Sequence, residues 1–150
     1  MRTFLDVKTT LVVRPEDANA IVEMIEEAFG DDFRNIGNVS KTDDHCEIEI
    51  DFDEHVSHSR AEDVGMFYDD VVPYLLQAAW VEQECEGERD GWHIGTPEQV
   101  KTAWIERYLE TIKEQAKDLI MLDPDALSRA QDMLLKGFVE AKTHDTLAGD

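Results

Sequence analysis

The spacing of apolar positions changes period several times along the chain, and each change marks an element. Residues 4–13 (FLDVKTTLVV) are apolar and β-branched, which predicts a first strand at the centre of a sheet. Arg14-Pro15 ends it, and Pro15 suits the first helical position, where no N–H is needed. Ala18, Ile21, Val22, Ile25 and Phe29 then recur at helical spacing, with Glu16, Glu23, Glu26 and Glu27 outside and Gly30 as a stop. Residues 33–40 (FRNIGNVS) predict a weaker strand interrupted by Gly37. After the turn-like Thr42-Asp43-Asp44 comes the clearest strand. Cys46, Ile48, Ile50 and Phe52 alternate strictly with Glu47, Glu49, Asp51 and Asp53, so one face is buried and the other carries carboxylates.

Ser59 with Glu62 predicts a capping box. The helix it opens buries Val64, Phe67, Tyr68, Val71 and Leu75, and Pro73 should kink or split it near Val72. From Trp80 the period returns to two. Val81, Gln83 and Cys85 alternate with Glu82, Glu84, Glu86 and Glu88, and Asp90-Gly91 predicts a tight turn into Trp92–Ile94. Thr96-Pro97 with Gln99 opens a long helix to about Leu122, its stripe formed by Trp104, Tyr108, Ile112, Leu119 and Ile120. Asp123-Pro124 opens another, with Leu127, Ala130, Leu134, Phe138 and Ala141 inward, and the last eight residues should fray.

The order β-α-β-β-α-β followed by two helices predicts an α+β chain: a ferredoxin-like antiparallel sheet over residues 1–95, with a helical extension over 96–150 packed on the same domain. In that strand order the first strand lies between the two acidic ones, presenting Asp6, Lys8 and Thr10 outward. The extension could cover the free sheet face, cap an edge or form a dimer surface; the pattern does not choose.

Charge changes this picture most. The formal net charge is −21, and residues 41–100 hold 17 Asp and Glu against three Lys and Arg. The flanking segments are closer to balance, with eight against four in residues 1–40 and ten against seven in residues 101–150. Hydrophobic residues are 42% of the chain, so the acidity does not signal disorder. No apolar run approaches the roughly 20 residues that cross a bilayer, and the N-terminus lacks a signal-peptide core. Two cysteines, Cys46 and Cys85, are too few for a disulfide scaffold and point to a reducing cytoplasm. Nucleic acid and anionic membranes repel such a chain, which leaves basic protein surfaces as natural partners.

Two strands with same-face carboxylates at every second residue form ladders with a step of roughly 6.6 Å. Duplex DNA presents a comparable line of phosphates. The candidate partner-binding residues are therefore Glu47, Glu49, Asp51 and Asp53 on one ladder and Glu82, Glu84, Glu86, Glu88 and Asp90 on the other. Trp92 is the apolar anchor if it sits on the hairpin turn. The bland alternatives are solvated sides of half-buried strands, or adaptation to high salt. Seven lysines fit the second, but the uneven charge distribution argues against it.

In size and charge the chain resembles phage- or plasmid-encoded DNA mimics, such as anti-restriction and anti-CRISPR proteins, and also acidic immunity proteins that neutralise basic toxins. The resemblance implies an inhibitor that occupies a Lys/Arg surface, with no enzymatic role and no cofactor of its own. The alternative from another class is a structural or oligomeric accessory domain that works through its C-terminal helices.

Catalytic chemistry has thin support. His55 and His58, with Asp53 or Glu54, are the one arrangement that could hold a metal for a small hydrolase, and a solvated strand-to-helix loop explains them as well. Ser57 lies between two histidines without a GxSxG elbow, and neither cysteine carries a nucleophile signature. No phosphate-binding glycine loop or EF-hand occurs.

Overall fold

The computed structural model describes residues 2–115, 125, 128, 129, 132, 133 and 135–137. The chain divides into two compact units, Met1–Thr96 and Pro97–Asp150. In the first, strands β1 (Arg2–Val13), β2 (Gly37–Lys41), β3 (Cys46–Ser57), β4 (Ala79–Cys85) and β5 (Glu88–Ile94) form one antiparallel sheet in the order β2-β3-β1-β4-β5. Helices α1 (Ala18–Phe29), the short α2 (Phe33–Ile36) and α3 (His58–Asp70) complete the unit. The first four strands with α1 and α3 make the split βαβ arrangement of an α+β, ferredoxin-like fold, and β5 adds a fifth strand beyond β4.

Alternation builds the sheet. Along β1 every odd residue from Thr3 to Val13 is buried, and along β3 Cys46, Ile48, Ile50, Phe52 and Val56 are buried opposite them. Ile21, Ile25, Ala28 and Phe29 of α1 and Val64, Phe67 and Tyr68 of α3 join these positions in one core. A chain of rings ties the helices to the sheet: Trp92 to Tyr68 at 5.5 Å, Tyr68 to Phe67 at 6.1 Å, Phe67 to Phe29 at 5.8 Å and Phe29 to Phe52 at 5.0 Å. Thr9, buried on the same side, donates its hydroxyl to the Trp80 carbonyl at 2.8 Å, so its polarity is satisfied by the neighbouring strand.

The helix ends have local causes. Pro15 begins a 3-10 turn that leads into α1, and Gly30 closes α1 in the left-handed conformation. Pro73 ends α3 as expected, and residues Val72–Tyr74 continue as a 3-10 turn. Two expectations are corrected. The segment 33–40 is not one strand: Asp32 accepts the Arg34 N–H at 3.0 Å and Glu26 accepts the Phe33 N–H at 3.0 Å, which nucleates α2 before β2 begins at Gly37. The cap of α3 is Ser57 rather than Ser59. Strand β3 runs on to pair Ser57 with Arg2, and Ser57 Oγ accepts the Arg60 N–H at 3.2 Å.

In the second unit, helix α4 spans Pro97–Gln115, with Trp104, Tyr108 and Ile112 half-buried. The expected continuation to Leu122 and the inward set Leu127, Ala130, Leu134, Phe138 and Ala141 lie outside the described residues. No described helix is long and apolar enough to cross a membrane.

Candidate protein-binding face

Because α1 and α3 pack on one side of the sheet, the even residues of β1 and the odd residues of β3 point to the other side. Strand register assembles them into rows. One row reads Asp53, Asp6, Glu84 and Arg89, and the next reads Asp51, Lys8, Glu82 and Gly91. Asn38, Glu49 and Thr10 follow, and then Ser40, Glu47 and Val12. The face therefore carries seven carboxylates, from Glu47, Glu49, Asp51, Asp53, Asp6, Glu82 and Glu84. Strands roughly 4.8 Å apart and a same-face step of about 6.6–6.8 Å turn two ladders into a grid of negative charge.

Cations on this face are placed to hold the grid together. Lys8 stands directly between Asp51 and Glu82 across its two neighbouring strands. Arg89 Nη2 lies 3.6 Å from Asp6 Oδ2 and 3.5 Å from Glu84 Oε2, bridging two carboxylates that would otherwise repel. The Asp6 side chain keeps only 17% of its accessible surface, so the carboxylate end of this bridge is largely shielded from water. Arg2 stands at the far end, opposite Ser57.

A shallow hollow of about 330 Å³ opens between Lys8, Thr10, Glu49, Asp51, Trp80 and Glu82. Trp80 forms one wall, its Nε1 donating to Glu82 Oε1 at 3.3 Å and its ring meeting His93 edge-on at 4.8 Å. Gly91 lies beneath this indole; any side chain there would overlap the ring. An indole beside three carboxylates offers a Lys or Arg side chain an apolar wall for its stem and acceptors for its head.

The first ladder, Glu47 to Asp53, stands whole and solvent-exposed as the sequence implied. The second breaks after Glu84. Glu86 and Gly87 form the hairpin turn, both at positive φ (53° and 85°), and Cys85 pairs with Glu88 across it. Glu86 is thus a turn residue. Glu88 and Asp90 pair with Cys85 and Gln83 and point to the helix-covered side of the sheet. Asp90-Gly91 sits within β5 rather than at a turn. Trp92 pairs with Val81 and packs against Tyr68, so it is a half-buried part of the core margin and not an exposed anchor. The indole on the acidic face is Trp80, and Phe4 of β1 points to the same side. Asp6 is the carboxylate the ladders missed, although the outward placement of Asp6, Lys8 and Thr10 already followed from the strand order.

His55 ends its row beside Phe4, with ring centroids 5.3 Å apart, and His58 faces Glu62 at 3.9 Å on the first turn of α3. Among the described residues no group of three or more His, Cys, Asp or Glu side chains converges to hold an ion. Cys46 is buried, Cys85 is half-buried, and both are free thiols. The titrations of Asp32 and Tyr68 are displaced, and both residues lie off the acidic face. Arg34 bonds the Asp32 carboxylate through its side chain and backbone and holds it down to about 2. Burial, with Cys85 nearby, pushes the Tyr68 phenol well above its usual range. No protein-family model, curated protein or solved structure matches the chain.

Proposed function

We propose that this chain is a cytoplasmic inhibitor of the DNA-mimic type, which lays its acidic sheet face into the Lys/Arg surface of a nucleic-acid-binding protein. One observation carries the reading: seven carboxylates in strand register on the sheet face opposite α1 and α3. Like charges set side by side on one face cost stability, and a basic partner relieves that cost. The rigid strands favour the same view, because a grid fixed by backbone pairing loses little entropy on docking. The hollow beside Trp80 supplies a seat for one cationic side chain near the middle of the grid. The two free cysteines fit a reducing compartment.

The test is capture of partners from cytoplasm by the wild-type chain and by two double variants, Glu47→Lys with Glu49→Lys and Glu82→Lys with Glu84→Lys. Circular dichroism verifies that each variant is folded. A basic nucleic-acid-binding protein should be retained by the wild type, lost from both variants and displaced by added duplex DNA. Retention by both variants at unchanged affinity would sink the electrostatic mechanism, and failure of DNA to compete would sink the mimicry.

A further inference from the structure

The helix-covered side of the first unit carries a groove at the margin of the core, where Met66 alone of the apolar lining stands exposed. Met24 and Ala28 of α1 and Met66 and Phe67 of α3 line a groove of about 260 Å³, walled by Glu27, Asp63 and Asp70. Met66 is 62% exposed, a large apolar side chain left at the surface of a helix whose buried stripe is Val64, Phe67 and Tyr68. Along α3 it is bracketed at helical spacing by Asp63 and Asp70. Along α1, Met24 and Glu27 repeat the pairing of a thioether with a carboxylate one turn away. Arg60, at one end, is already engaged: its Nη1 donates to the carbonyls of Glu27 at 2.6 Å and Ala28 at 3.2 Å and lies 3.7 Å from Asp63 Oδ2.

Such a groove asks for an apolar side chain flanked by cations. Asp63 to Asp70 spans two helical turns, roughly 10.5 Å, the length over which a second helix presents residues i, i+3 or i+4 and i+7. Methionine suits the floor because its unbranched, polarizable chain reshapes to its guest. Charge selects among occupants. A second copy of this chain brings a net charge of −21 against an acidic rim, and the chain's own residues 97–150 carry 11 acidic side chains against seven basic ones. Nucleic acid and anionic lipid have the wrong sign as well.

We propose that the groove between α1 and α3 docks a basic amphipathic helix of a partner protein. The helix seats an apolar side chain between Met24 and Met66 and sets Lys or Arg on Glu27, Asp63 and Asp70. The surface is separate from the acidic sheet face, so either can stand without the other.

The test uses the full chain labelled with carbon-13 at its methionine methyls and two 15-residue peptides of equal charge. One is a Leu/Lys amphipathic helix; in the other, serine replaces leucine. The Leu/Lys peptide should shift the Met24 and Met66 signals, and the Ser/Lys peptide should not. Met66→Gln and the pair Asp63→Asn with Asp70→Asn should each weaken binding about tenfold. The sheet variant Glu47→Lys with Glu49→Lys should change it by less than twofold at physiological salt. Equal response to both peptides, or full affinity in Met66→Gln, overturns the proposal. So do Met24 and Met66 signals that move with protein concentration alone, which would make the groove a face between copies.

Discussion

Trp80 lies across Gly91, and the pair shows how a single missing side chain shapes a surface. A Cβ on Gly91 would overlap the indole ring, so Gly91→Val must push Trp80 off the sheet and deform the hollow beside it. The expected loss is about 1–3 kcal/mol of stability, read from urea unfolding, with a shift in tryptophan emission. Tyr68 makes a different kind of residue-level case. It is 6% exposed, and its hydroxyl donates to Gln83 Oε1 at 2.7 Å. Burial raises the phenol above its unfolded value, so its contribution is complete below about pH 10 and is lost as pH climbs beyond that. Tyr68→Phe should therefore flatten the alkaline fall in stability, by up to about 1.4 kcal/mol per pH unit. At neutral pH it should cost about 1 kcal/mol for the lost hydrogen bond. Denaturant midpoints at pH 8 and pH 11 separate the two effects.

At the scale of elements, the β4–β5 hairpin is the test of register. Type I′ turns want Asn-Gly, and this one uses Glu86-Gly87 with Glu86 held at φ 53°. Glu86→Asn should stabilise the chain by about 0.5–1 kcal/mol, measured as a higher urea midpoint with an unchanged denaturant slope. The same hairpin explains where sequence reading stopped. The stretch from Glu86 to Gly91 offers two acid-glycine pairs, Glu86-Gly87 and Asp90-Gly91, and alternation alone does not choose. Packing chooses, because the turn at Glu86-Gly87 gives two seven-residue arms and brings Trp92 onto Tyr68. Ser57 and Ser59 pose the same problem at α3: both look like caps, and the pairing of Ser57 with Arg2 decides between them. The long strands were legible because burial of one face fixes a period of two, whereas boundaries depend on partners far away in sequence.

Over the whole molecule, the grid is a balance between repulsion and rigidity. The Glu47–Asp53 ladder could be read directly, since it needs only one strand's alternation, but the grid depends on β1 lying between β3 and β4. That placement sets Asp6 opposite Asp53 and Glu84, a row of three carboxylates of which Arg89 on β5 bridges two, Asp6 and Glu84. Removing the bridge exposes the repulsion, so Arg89→Ala should destabilise the chain, and adding Asp53→Asn should restore part of the loss. Each like-charge pair across strands carries roughly 0.2–1 kcal/mol, and salt weakens all of them together. The wild-type melting temperature should thus rise with added sodium chloride. The variant Glu47→Lys with Glu49→Lys should melt above the wild type at 10 mM salt and converge with it at 1 M, where the Debye length is about 3 Å. Thermal melts across that range read the effect directly. A variant that melts lower at low salt would mean that these carboxylates are held by favourable contacts within the chain, leaving no repulsion for a basic partner to relieve.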